Sequence, residues 1–156
     1  MPKSNLSTYS HRGARALVLL HERELRAFLE AWRLAKKAAV KFPATDDPDY
    51  VSLESLLLHL LRAARGYMTR ICERLKLPDP VIEEPPSVET VEKEADKYVS
   101  HLLERWRLPL SALTEQRFNE LFETQWGARV SAENVLEHAV VHPMRHTFQL
   151  RELMEK

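Results

Sequence analysis

Val135–Leu153 reads VLEHAVVHPMRHTFQLREL and places His138, His142 and His146 at intervals of four. Residues four apart lie one above another on one face of an α-helix. The stretch is therefore read as a helix carrying a ladder of three imidazoles. A His-x-x-x-His pair on such a face can hold one metal ion through two nitrogens. The ladder's ends are separated by about 12 Å of helix rise, so one ion takes two of the three. Two overlapping pairs qualify, His138/His142 and His142/His146. A third ligand has to come from another helix. His59, alone among leucines in ESLLLHLLRAARGYMTRICERL (Glu54–Leu75), is the leading candidate.

Ser131 followed by Asn134 suits a helix start, so this last helix is expected from there nearly to the C-terminus. Pro143 lies inside it. Its missing N–H removes the bond to the Ala139 carbonyl, and its ring crowds that carbonyl. A kink between His138 and His142 is expected, which sets His138 apart and favours His142/His146 as the ligating pair. Imidazoles buried on one helix face without partners are costly. A shared metal relieves that cost and uses each ring in its neutral form.

Upstream, prolines divide the chain into further helical segments. A first helix is expected from Ser10 or Arg12 to about Lys41, with Leu17, Leu20, Leu25, Phe28, Leu29, Trp32 and Ala35 as its apolar stripe. FPATDDPDY (Phe42–Tyr50) breaks it. Ser52 then caps a second helix, from about Leu53 to Leu75, with Leu56, His59, Leu60, Ala63, Tyr67, Arg70 and Ile71 facing inward. LPDPVIEEPPS (Leu77–Ser87) is a linker. Ser87 with Glu89 and Thr90 suits the start of a third helix, which runs to about Arg107 and buries Val91, Ala95, Tyr98, Leu102 and Trp106. Leu110–Val130, interrupted by Gly127, reads as a short helix or extended pieces. Residues 1–10 read as a frayed start. The expected fold class is all-α: a four-helix bundle with long Pro-rich connections, one domain over residues 1–156.

Composition narrows the function classes. Lys plus Arg and Asp plus Glu both number 23, giving zero formal net charge. That removes the overall cationic footprint of a nucleic-acid binder. Cys72 is the sole cysteine, so no intramolecular disulfide can form, and a reducing cytoplasm is the expected location. No segment approaches the roughly 20 apolar residues of a membrane span, and no leading apolar run reads as a signal peptide. Only three glycines occur in 156 residues, consistent with a helical chain.

His59 in a leucine-rich second helix, together with HPMRHTFQL (His142–Leu150) in the last, resembles the DinB/YfiT-like superfamily. That family's C-terminal signature is His, an acidic residue, two variable residues, then His-Arg-Gly-Gln. His142, His146 and Gln149 match it. Pro143 replaces the acidic residue, and Thr147-Phe148 replaces Arg-Gly, while the ligand spacing is kept. With the order of helices, the resemblance extends roughly from Arg15 to Leu153. It implies a four-helix bundle with a three-His site for a divalent metal, the ligands being His59, His142 and His146. It also implies a low-molecular-weight thiol or other small molecule as substrate, because thiol S-transferases and a mycothiol-dependent isomerase belong to the family. Homodimers are common there, and the apolar residues of Leu110–Trp126 are the candidate surface for one.

The remaining candidates are secondary. Glu54 and Glu137 are possible acceptors for a ligand imidazole. Arg62, Arg65 and Arg70 lie near His59 in sequence, and one of them at the site mouth could hold a substrate carboxylate. Cys72 reads as core. His11, His21 and His101 read as solvated or boundary residues. No Ser/His/Asp triad, phosphate-binding Gly loop or Cys-x-x-Cys motif is present. Three neutral ligands leave room for a further one, the pattern of catalytic zinc sites, and Zn²⁺, Ni²⁺ and Fe²⁺ all suit imidazole. The first reading is a metal-dependent enzyme of thiol-transferase or hydrolase type. Against it stand a non-catalytic damage-response metal-binding module and a structural bundle whose histidines carry no metal.

Overall fold

The computed structural model describes residues 6–156. They form α1 (Arg12–Lys37), α2 (Leu53–Arg74), α3 (Val91–Trp106), α4 (Glu115–Phe118), β1 (Phe122–Glu123), β2 (Arg129–Val130) and α5 (Ala132–Met154), with 3₁₀ turns at Leu6–Thr8 and Pro48–Tyr50. The class is all-α, with one small antiparallel hairpin pairing Phe122 with Val130. No described helix is long and apolar enough to cross a membrane.

Side-chain caps set the starts of two site-bearing helices. The Ser52 hydroxyl accepts the Ser55 N–H at 3.0 Å and opens α2. Ser131 and Asn134 form a reciprocal box at the head of α5, the Asn134 amide oxygen accepting the Ser131 N–H at 2.9 Å. The third helix begins later than expected, at Val91, whose N–H reaches the Ser87 carbonyl at 2.8 Å through an intervening turn.

The ends of α1 and α2 share one device. After α1, Ala39 takes φ 52° and the Val40 N–H reaches back to the Ala35 carbonyl at 3.1 Å. After α2, Lys76 takes φ 54° and the Leu77 N–H bonds the Cys72 carbonyl at 2.8 Å. Both are Schellman closures, and the residue that follows each left-handed position, Val40 or Leu77, packs on the core. The first helix thus stops at Lys37, short of the expected Lys41, without a glycine to mark the stop.

α1 lies along α5 over the most extensive helix contact, and α2 packs against both α3 and α5. Two indoles pin the layers. The Trp32 Nε1–H donates to the Leu53 carbonyl at 2.6 Å, joining α1 to the head of α2. The Trp106 Nε1–H donates to the Ala64 carbonyl at 3.0 Å, joining α3 to the middle of α2. Both rings are fully buried, so truncating either to alanine costs about 3–5 kcal/mol. Arg107 reaches Glu22 through two nitrogens at 2.7 and 3.2 Å, a fork that ties the end of α3 to α1.

The expected frayed start, residues 1–10, lies partly outside the described residues. Of the rest, Leu6 accepts the Arg15 Nε–H at 2.9 Å, the Tyr9 hydroxyl donates to the Arg107 carbonyl, and the Ser10 N–H bonds the Ser111 carbonyl at 2.9 Å. Leu6–Ser10 is therefore fastened to the helical body. In the Leu110–Val130 segment, Leu110, Leu113 and Phe118 are buried, while Leu121 and Trp126 are exposed. Gly127, at φ 77°, makes the turn of the hairpin there.

Candidate metal centre

α2 and α5 bring His59, His142 and His146 together, each offering a ring nitrogen within 4.8 Å of the others. His142 and His146 are buried and His59 is half-buried. The Nε2 atoms of His59 and His142 stand 3.0 Å apart. Two nitrogens bound at about 2.1 Å to one tetrahedral ion are roughly 3.4 Å apart, so the pair is already near that spacing. The Nε2 of His146 is buried and has no partner among the described residues.

The other nitrogen of every ring is held. His59 Nδ1 lies 3.0 Å from Asp49 Oδ2, His142 Nδ1 lies 3.2 Å from the Tyr67 hydroxyl, and His146 Nδ1 lies 2.7 Å from Gln149 Oε1. A carboxylate and an amide oxygen only accept, so neutral His59 and His146 carry their protons on Nδ1 and turn lone pairs inward on Nε2. His142 is different because a phenol both donates and accepts. Without a cation, its Nε2–H donates to His59 Nε2 while its Nδ1 accepts from Tyr67. With a cation the proton belongs on Nδ1, and the Tyr67 oxygen accepts it.

Local sequence explains the placement. Asp47 caps the turn before α2 by accepting the Asp49 N–H at 3.0 Å, which fixes Asp49 against His59. Tyr50 follows, with its ring centroid 6.0 Å from that of His59 and 5.8 Å from that of His146. Gln149 is one turn beyond His146 on α5, and Tyr67 is two turns beyond His59 on α2.

Burial holds the His142 imidazole well below the usual range, and His146, His59, Arg145 and His138 add to the effect. Burial likewise lowers His146, against the raising influence of its bond to Gln149. Both rings are thus neutral, the form that ligates. Burial raises the Tyr67 hydroxyl, with Arg145 and Arg70 opposing, so it stays protonated.

The structure sorts the sequence candidates. His138 is exposed and outside the group, though its ring stacks at 6.0 Å on His142. α5 runs unbroken through Pro143. His142 and His146 are the pair of the ladder that meets His59. The acceptor role falls to Asp49, Tyr67 and Gln149 instead of Glu54 and Glu137. Glu54 is engaged by Lys36, and Glu137 is exposed. Arg65 is taken by the Ile82 carbonyl at 3.0 Å and Glu84 at 2.8 Å. Cys72 is buried, which pushes its thiol up to about 11 and fits a core role.

His21 is the clear departure from expectation. It is 1% exposed, lies parallel to Trp106 with centroids 3.7 Å apart, and leaves Nδ1 without a partner among the described residues. Of the charged neighbours that suggested a boundary position, Arg23 is exposed and Glu22 turns to Arg107, while His21 keeps phase with buried Val18 and Leu25. His11 and His101 are half-buried, and His101 Nε2 accepts the Glu83 N–H at 3.0 Å.

A scan against protein-family models finds no match, and searches of curated proteins and of solved structures find none either.

Proposed function

We propose that this chain binds one divalent metal ion through His59, His142 and His146, in a four-helix bundle of the DinB/YfiT-like kind, and acts as a metal-dependent enzyme of thiol-transferase or hydrolase type. One observation carries the metal reading: His59, His142 and His146 each offer a ring nitrogen within 4.8 Å of the others, while Asp49, Tyr67 and Gln149 hold every Nδ1. Nδ1 tethering of this sort orients a ligating imidazole and raises its basicity. The orphaned Nε2 of His146 gains its missing partner when a cation is present.

The donor set supports the enzymatic part of the proposal. Three neutral nitrogens leave a cation its full charge and room for a further ligand, and such a cation supplies a Lewis acid. The chain's own groups would orient the ligands, exclude water on the Tyr50 side, and keep His142 responsive to the Tyr67 hydroxyl. Zn²⁺, Ni²⁺ and Fe²⁺ all match imidazole donors.

Titration of chelator-stripped protein with Zn²⁺, Ni²⁺ and Fe²⁺ tests the proposal, followed by addition of a small thiol to the cobalt-loaded form. One ion bound per chain and a changed visible spectrum on thiol addition are expected. Binding without any thiol response would leave a non-catalytic metal module. No stoichiometric binding would leave a structural bundle.

A further inference from the structure

A hollow adjoins the three-His group. The connection between α1 and α2 and the last turns of α5 enclose a cavity of about 330 Å³, walled chiefly by Phe42, Pro43, Leu56, Leu150 and Leu153. Leu56 and Leu150 belong to the buried core, so packing fixes the inner wall. Small-molecule sites begin at roughly 300 Å³ and are mostly apolar, and this cavity has that size and character. Two of its lining residues also belong to the metal centre. Tyr50 has its ring centroid 6.0 Å from that of His59 and 5.8 Å from that of His146. Gln149 holds His146 Nδ1 with its amide oxygen at 2.7 Å.

The chemistry of the walls selects the occupant. The charged side chains of the lining are Glu152 and Lys156, which are exposed and of opposite sign, so they give the hollow no net charge. A neutral molecule with an apolar body gains by leaving water for such walls, whereas a charged one loses hydration without a buried partner. The Gln149 oxygen is committed to His146, so its amide N–H groups are what Gln149 offers an occupant. We propose that this cavity binds a small uncharged molecule with an apolar body of about one ring and a carbonyl-type acceptor, and that its binding is felt at His146 through Gln149. The ligand site stands on the cavity, and its bearing on catalysis rests on the metal reading above. Occupant and ion, meeting through Gln149 and Tyr50, alter each other's affinity by the same factor.

Acetophenone, ethylbenzene and benzoate serve as probes, sharing one benzene ring but carrying a carbonyl, no acceptor and a charge respectively. Each is titrated into the metal-free full chain, with long-range ¹H–¹⁵N spectra of the histidine rings and intermolecular NOEs recorded. Acetophenone is expected to give NOEs to the methyls of Leu56, Leu150 and Leu153 and to shift the His146 Nδ1–H signal. It should bind about threefold more tightly than ethylbenzene and at least about tenfold more tightly than benzoate. Ala44→Trp sets an indole at an exposed position of the same lining and should weaken acetophenone at least about tenfold. NOEs confined to other side chains, an unmoved His146, or benzoate binding as tightly as acetophenone would overturn the assignment. So would the absence of binding by any probe, including the case in which sedimentation shows a second copy of the chain covering the hollow. Zinc titration of the same samples is read separately: acetophenone bound as expected with no zinc uptake would defeat the metal reading and leave this site.

Discussion

Two regions of this molecule bury histidine, and they do so in opposite ways. Among the described residues, His21 lies flat on Trp106 with Nδ1 unpartnered and no other imidazole in ring contact, although His142 is near enough to disfavour its charged form. His59, His142 and His146 converge, with one nitrogen of each tethered and the other turned to its companions. Burial keeps His21 neutral, its pKa lowered from 6.5 to about 3, and it keeps His142 and His146 neutral as well. Neutrality alone therefore does not make a ligand site. Convergence of lone pairs and a fixed tautomer distinguish the second region from the first.

The comparison breaks most sharply on the ligands. Alanine at His59, His142 or His146 should weaken metal binding by at least about a hundredfold, more than the loss of an outer hydrogen bond, whereas His138→Ala should leave it nearly intact. Competition with a chelating indicator measures this. Strong loss in His138→Ala with binding kept in His146→Ala would reverse the choice of pair.

His21 gives the next largest effect, on stability and not on metal. Its folded pKa of about 3 lies below the unfolded 6.5, so the unfolded chain takes up the proton first. The stability His21 contributes is complete above 6.5 and is lost as pH falls toward about 3. His21→Phe keeps a flat ring on Trp106 and should reduce the acid slope by one proton, about 1.4 kcal/mol per pH unit. Urea unfolding at a series of pH values reads it. An unchanged slope would mean that His21 is not held neutral.

Smaller effects sharpen the account of the tethers. Asp49→Ala and Gln149→Ala should each weaken metal binding about tenfold, by freeing the ring they orient. Tyr67→Phe should have a lesser effect of a few-fold, since the His142 Nδ1–H loses one acceptor in a partly buried place. Isothermal titration of the three variants orders them, and Tyr67→Phe proving the most damaging would put the phenol at the centre of the site.

The ladder on α5 was legible from spacing, because helical periodicity maps directly onto a face, whereas His59 stood out as a lone histidine among leucines and joined His142 and His146 through the family resemblance. The caps at Ser52 and Ser131 were legible because short polar side chains at helix starts have few other uses. Asp49 was not: it lies in a Pro-containing turn, and only the fold carries that turn back over His59. Gln149 stood in the matched motif, yet nothing in sequence assigns its amide to His146. His21 misled because its charged neighbours were read as its environment, when one residue along a helix is about 100° around the axis. The early stop of α1 was hidden because Ala39 adopts the left-handed position that glycine usually marks.

The central claim is that three Nε2 atoms, and no other imidazole nitrogens, receive one ion. Long-range ¹H–¹⁵N correlation spectra of the histidine rings, recorded before and after one equivalent of Zn²⁺, test it most directly. The account predicts that His59, His142 and His146 each show a metallated Nε2 and a protonated Nδ1, with His142 changing tautomer, while neither nitrogen of His21 or His138 becomes metallated. Metallation of His21 or His138 in place of His146, or of no ring at all, would contradict it.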